Sequence, residues 1–167
     1  MSLSRSNEPE TEVLRVPYVS IIGAHLDRMQ LDYAGILEIQ VTILVRAKNG
    51  NGKAHASFSD SSYGLSLNRE VVAQLVAPPF ELGKNSSVDF NYVVPSSPIP
   101  LGPEQAEYVD TALKNDRITF HLKGGTRVRW RIGHLGSVRF LCLLDCQLHF
   151  HPLNGTYIPS RCSSKAK

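Results

Sequence analysis

The sequence predicts an all-β protein: a two-sheet antiparallel β-sandwich with one short helix in a crossing loop. Three observations carry this. Period-two alternation recurs along the chain, as in Leu37, Ile39, Val41, Ile43, Val45 and Ala47, and again in Val138, Phe140, Cys142, Leu144, Cys146, Leu148 and Phe150. A half-buried antiparallel strand requires that pattern. Turn signals, among them Asn49-Gly50-Asn51-Gly52 and Pro78-Pro79, cut the chain into about eight such runs, the spacing of a sandwich. Helical spacing is confined to the stretch from Pro103 to about Asn115.

Residues 1–16 are polar and acidic, with Glu8, Glu10 and Glu12, and read as a disordered leader without the apolar core of a signal peptide. The sandwich domain is expected over 17–152, with a polar tail over 153–167. Tyr18 to Leu26 forms the first strand, after Pro17. Gly35 opens the second, whose outward side carries Glu38, Gln40, Thr42 and Arg46. Ala54 to Asp60 is a weak strand and Tyr63 to Leu67 a short one. Val71 to Ala77 follows and ends at Pro78-Pro79, because proline cannot donate to a ladder. Glu81 to Ser86 is a turn, and Val88, Phe90, Tyr92 and Val94 alternate in the next strand. Pro95 to Gly102 is the crossing loop. Gly102 caps the helix, Pro103 suits its first position and Glu104 the positive end of its dipole.

The stretch from Ile118 to Phe150 organises the remainder. Ile118, Phe120 and Leu122 alternate with polar residues, and Val128, Trp130 and Ile132 are set against Arg127, Arg129 and Arg131. A three-residue loop at Gly124-Gly125-Thr126 pairs Leu122 with Val128 and Phe120 with Trp130, keeping apolar against apolar. The expected result is a meander with one apolar and one cationic face.

Composition narrows the function classes. The 42% hydrophobic and 20% charged content is that of an ordinary globular domain, with chain enough for a core. No apolar run approaches the roughly 20 residues of a membrane-spanning helix. The net charge of +3 conceals an uneven distribution. Residues 1–113 hold 8 Lys and Arg against 13 Asp and Glu, whereas 114–139 hold 7 against Asp116 alone. Attraction for anions is therefore local.

Arg127, Arg129 and Arg131 form a stripe that could contact phosphates. Trp130 points to the opposite face, while single-stranded nucleic acid needs aromatic and basic groups on one surface. The stripe reads first as a solvated face; a contact through it would be with an anionic membrane or an acidic protein rather than nucleic acid. Asn85-Ser86-Ser87 and Asn154-Gly155-Thr156 are N-glycosylation sequons in expected surface loops. His149, His151 and Asp145 share a strand face but lack convincing further ligands for a metal. His25, His55, His121 and His134 are scattered. No Gly-x-Ser-x-Gly elbow, phosphate-cradling glycine loop or zinc-spaced cysteine set is present, so neither catalysis nor a cofactor or small-molecule substrate is expected.

Cys142 and Cys146 lie on one strand face roughly 13 Å apart, too far to bridge. Cys162 could fold back to Cys146, leaving Cys142 as a small buried apolar residue. Three reduced thiols fit the sequence equally well, and the redox compartment stays open.

Several stretches together resemble a known family. They are Ala47-Lys48-Asn49-Gly50-Asn51, the turn from Ala77-Pro78-Pro79-Phe80 to Asn85-Ser86-Ser87, Arg127-Val128-Arg129-Trp130-Arg131-Ile132-Gly133, and the Cys146 … Cys162 arrangement. Over about residues 19–162 the chain resembles the plant late-embryogenesis-abundant group 2, or water-stress and hypersensitive-response, domain. Within it the chain is similar to the harpin-induced, disease-resistance-like proteins described as hydroxyproline-rich glycoproteins. The resemblance implies an immunoglobulin- or fibronectin-type-III-like sandwich without enzymatic activity, acting by protein or surface recognition in pathogen response. It also implies a plasma-membrane anchor with the domain facing the apoplast, which would bring both sequons into use. Such proteins carry a membrane-spanning helix where this chain has residues 1–16. Two expectations follow: an anchored form, or a soluble, cytoplasmic water-stress protectant of membranes or enzymes.

Overall fold

A computed structural model describes residues 16–94, 98–131 and 136–167. The expected leader up to residue 15, residues 95–97 of the crossing loop, and Ile132 to Leu135, with His134, lie outside them.

Strand β2 (Ile36–Asn49) shows how the fold is built. Leu37, Ile39, Val41, Ile43, Val45 and Ala47 are all buried, and the residues between them are not. β1 (Tyr18–Leu31) pairs with β2 along its length, with irregularities at Ile21/Gly23 and Leu26/Arg28 that increase its bend. The other edge of β2 carries β6 (Ser86–Val94) and the two-residue β7 (Ile99–Pro100). Helix α1 (Pro103–Lys114) starts as the sequence indicates, with Gly102 as extended N-cap, Pro103 in its first turn and Glu104 beside it. It buries Val109 and Ala112.

The two runs expected at Ala54–Asp60 and Tyr63–Leu67 are one strand, β3 (His55–Leu67). A bulge between Ser59 and Ser62 interrupts its ladder, with Asp60 at φ 53°. β4 (Glu70–Ala77) returns through Asn68 and Arg69, both at positive φ, the turn hand that matches strand twist. The expected turn after Pro79 begins with a short strand, β5 (Phe80–Leu82), paired to β3.

β8 (Ile118–Arg131) and β9 (Ser137–His151) pair without interruption from Ile118↔Phe150 to Arg131↔Ser137. This corrects the hairpin expected at Gly124-Gly125-Thr126: the chain does not turn there. Leu122 lies opposite Cys146, and Val128 opposite Phe140. The glycines serve close approach instead. A Cβ on Gly124 would lie 2.1 Å from the Ser62 carbonyl oxygen and 2.6 Å from the Tyr63 Cα, and one on Gly125 would lie 2.9 Å from the Cys142 carbonyl oxygen. Inside a strand, glycine marks such contacts as readily as turns. The β3 bulge sets Ser61 against Thr126 of β8, hydroxyl to hydroxyl at 2.7 Å. Thr126 also donates to the Ser59 carbonyl at 3.0 Å.

The described residues are predominantly β with one short helix, and their ladders join in the order β4-β3-β8-β9-β10-β1-β2-β6. Two separate sheets were expected; the hydrogen bonding runs through one nearly closed, barrel-like sheet. The join depends on β10 (Thr156–Ile158), which pairs with β9 and meets β1 at His25↔Thr156. There the Leu26 amide donates to the Gly155 carbonyl at 3.0 Å. At the opposite seam no ladder joins β4 and β6 among the described residues, and aromatic rings bridge it. Phe80 stacks on Phe58 at 4.6 Å and meets Phe90 at 4.9 Å. The expected polar tail is thus partly structural, since it contains β10 and also β11 (Cys162–Ala166), which pairs with β9.

The Asn49–Gly52 turn contains two buried asparagines. Asn49 Nδ2 donates to the carbonyls of Ala54 and Gly83 at 2.8 and 2.9 Å, and the Asn85 amide donates to the Asn51 carbonyl at 2.8 Å. Buried amide donors of this kind are costly to leave unmade, so this turn and the β5–β6 turn are fastened to each other.

Gly124→Ala should cost about 3 kcal/mol, because backbone atoms cannot yield as a flexible side chain would. Gly52→Ala, with open space around its Cα, should stay within about 0.5 kcal/mol of the parent. Urea unfolding of the two variants checks this, and equal midpoints would remove the close-approach account.

Candidate functional site

Because alternation in β8 keeps one phase through the glycines, every odd-numbered residue from Thr119 to Arg131 lies on the outer face. That face carries Lys123, Arg127, Arg129 and Arg131, the last three being the stripe singled out in the sequence. The ladders place neighbours on either side. Arg129 stands between Ser57 of β3 and Arg139 of β9, and Arg127 between Ser59 and Leu141. β11 extends the face, with Lys165 opposite Leu143. Lys167 and Leu141 exchange backbone hydrogen bonds at 2.9 and 2.7 Å.

Ser57, Ser59, Glu81, Arg127, Arg129, Arg139 and Lys167 are among the residues lining a depression of about 500 Å³. A second hollow of about 280 Å³, bordered by Lys123, Leu143, Asp145, Lys165 and Lys167, adjoins it through Lys167. Leu141 is 37% exposed between the basic rows. Arg127 reaches Asp60 at 3.2 Å, while Arg129, Arg131, Arg139, Lys165 and Lys167 form no ion pair among the described residues. Directly opposed like charges destabilise a sheet, so the Arg129–Arg139 pair is a local cost. By contrast, Arg46 and Asp89 on the outer side of β2 and β6 are paired at 2.7 Å. The Arg46 hydrogen bond holds the Asp89 carboxyl below its usual range.

The structure does not bring together the residues considered for a metal. His149 contacts the Thr119 hydroxyl at 2.7 Å, and burial followed by the charge of Arg117 lowers its pKa. His151 lies 3.3 Å from Asp116, and Asp145 binds His121 at 2.5 Å. Among the described residues no group of three or more His, Cys, Asp or Glu side chains converges on one point. No helix among them is long and apolar enough to cross a membrane.

Asn85 and Asn154 are both exposed. Asn85 adopts φ 52° in the β5–β6 turn. The Asn154 side-chain oxygen accepts from the Thr156 amide at 3.0 Å. Cys146 and Cys162 are direct partners in the β9–β11 ladder, with Cα atoms 4.4 Å apart and sulfurs joined as a disulfide. Cys142 is a buried thiol whose pKa burial pushes up.

Arg139, Lys165, Lys167, Ser57, Ser59 and the two leucines escaped the sequence reading of this site. The outward phase of Arg139 and Leu141 was available, since Phe140 and Cys142 point inward. Nothing local could show that the tail lies beside Leu141 and Leu143.

No protein-family model matches the chain, and no curated protein matches it. Among solved structures, it is similar to the solution structure of a protein described as late-embryogenesis-abundant. The two share 14% identity over 87% of this chain and 72% of that one, with a TM-score of 0.35.

Unfolding the oxidised protein without reductant should expose one titratable thiol, that of Cys142. Three thiols in protein recovered from an oxidising medium would remove the Cys146–Cys162 bond.

Proposed function

We propose that this chain is a non-enzymatic recognition module of the stress- and defence-response kind, held at the plasma membrane with the domain facing the apoplast. It engages an anionic partner surface through the outer face of β8, β9 and β11. The observation that carries the reading is the concentration of cations on that face, most of them without an ion-pair partner among the described residues, including two arginines set directly against each other. A protein gains nothing in stability from that arrangement, whereas an anion placed between them removes the repulsion. The sequence resemblance supplies the stress and defence context. Two exposed sequons and a cystine suit an oxidising compartment, and favour this placement over the soluble protectant.

Expression in plant cells should give a protein that gains mobility on glycosidase treatment through Asn85, Asn154 or both. A cytosolic distribution with no mobility change would overturn the compartment. Independently, the purified chain should bind an immobilised polyanion and elute with salt, and Arg129→Gln with Arg139→Gln should elute earlier. Unchanged elution would overturn the cationic face as the working surface.

A further inference from the structure

The outer face is not uniformly basic. Leu141 and Leu143 stand two residues apart on β9, about 7 Å along the strand, both pointing outward. Leu141 has Arg127 on one flank and Lys167 on the other. Leu143 has Lys165 on one flank and Gly125 on the other. Gly125 has no side chain to cover its neighbour, and Leu143 Cδ2 lies where a Cβ on Gly125 would come within 2.9 Å. The next row toward the strand start is Arg129 and Arg139, with Ser57 beside them. Leu141 thus has cations on both flanks and Leu143 on one, next to a hollow of about 500 Å³ lined by Ser57, Ser59, Arg127, Arg129 and Arg139 together with Glu81.

From this geometry we infer that the face is a docking site for an anionic lipid surface, with the Arg129–Arg139 hollow taking a phosphate headgroup. The inference rests on the cationic face being the working surface, not on the compartment proposed above, and names its partner. Guanidinium groups on opposed strands bind a phosphate from two sides, and the Ser57 hydroxyl can donate a further hydrogen bond. Leu141 and Leu143 then enter the boundary between headgroups and acyl chains, with Lys165, Lys167 and Arg127 level with neighbouring phosphates. A purely ionic partner, such as an acidic peptide or polysaccharide, would use the cations and leave both leucines in water. Charge complementarity and Leu141, exposed beside the half-buried Leu143, together favour the membrane.

The test is flotation of the oxidised 167-residue chain with vesicles of phosphatidylcholine, alone or mixed with phosphatidic acid. Expected is binding to the mixed vesicles only, falling steeply with salt. Arg139→Gln should weaken it about fivefold, the worth of one cation near an anionic bilayer. Leu141→Ser with Leu143→Ser should weaken vesicle binding while leaving retention on immobilised heparin unchanged. Circular dichroism melting curves matching the parent confirm that the variants fold. Equal flotation with both vesicle types would overturn the inference, as would leucine variants that float like the parent. Retention on heparin or polyglutamate without vesicle binding would overturn the lipid assignment and leave the anionic-partner reading standing. Failure to bind any of these probes would overturn both.

Discussion

Once the buried backbone groups of a sheet must all be paired, a long strand is committed along its whole length. The ladder between β8 and β9 imposes that commitment here. It runs from Ile118↔Phe150 to Arg131↔Ser137. Its inner side supplies Phe120, Leu122, Leu144, Leu148 and Phe150, all close to fully buried. Its outer side therefore holds Arg127, Arg129 and Arg139 in alignment, because a slip of one residue would turn every side chain over. β3 can lie against the middle of β8 only because Gly124 presents no Cβ to Ser62 and Tyr63. Core, bulge and cationic face are consequences of one register.

Closure is handled differently at the two seams. Between β9 and β1 the chain inserts its own last residues: β10 bridges the ladders, and β11 lies along β9 with Cys146 facing Cys162. Ser164 Oγ donates to the Val19 carbonyl at 3.3 Å, tying β11 to β1 as well. Between β4 and β6 the seam is aromatic, where Phe80 and Phe90 touch. The buried Asn49 side chain fastens the neighbouring turn with two short hydrogen bonds. Two stretches that carry the family resemblance, around Asn49 and around Gly83 to Asn85, are therefore parts of one corner.

Against this consistent interior the outer face is the exception. Most of the fold obeys its local rules: inward positions are largely apolar, positive φ falls on Gly, Asn or Asp except at Arg69, and Asp89 neutralises Arg46. Arg129 opposite Arg139 breaks one of them, and no carboxylate among the described residues forms an ion pair with either. Departures of this kind concentrate where a protein meets something else. Lys165 and Lys167 reach the face only because the C-terminal strand is fastened to β9, so one half of it depends on the other half of the seam.

Much of this was legible in the residues. Alternation identified β2, β6, β9 and both halves of β8, and Gly102-Pro103-Glu104 marked the helix start, because period and capping are local properties. The Gly124-Gly125 pair was misread as a turn since glycine signals both turns and close approach. The phase of Ile118, Phe120, Leu122, Thr126, Val128 and Trp130, unbroken across the pair, held the discriminating information. The Arg stripe was visible for the same reason, being odd-numbered residues of one alternating run. What sequence alone determined is which side chains turn inward and which turn out. Tertiary structure decided that the two sheets join through β10, that Arg139, Lys165 and Lys167 stand beside the stripe, and that two leucines lie among them. Those facts depend on pairing between segments far apart in the chain, and no local propensity encodes which strand will lie next to which.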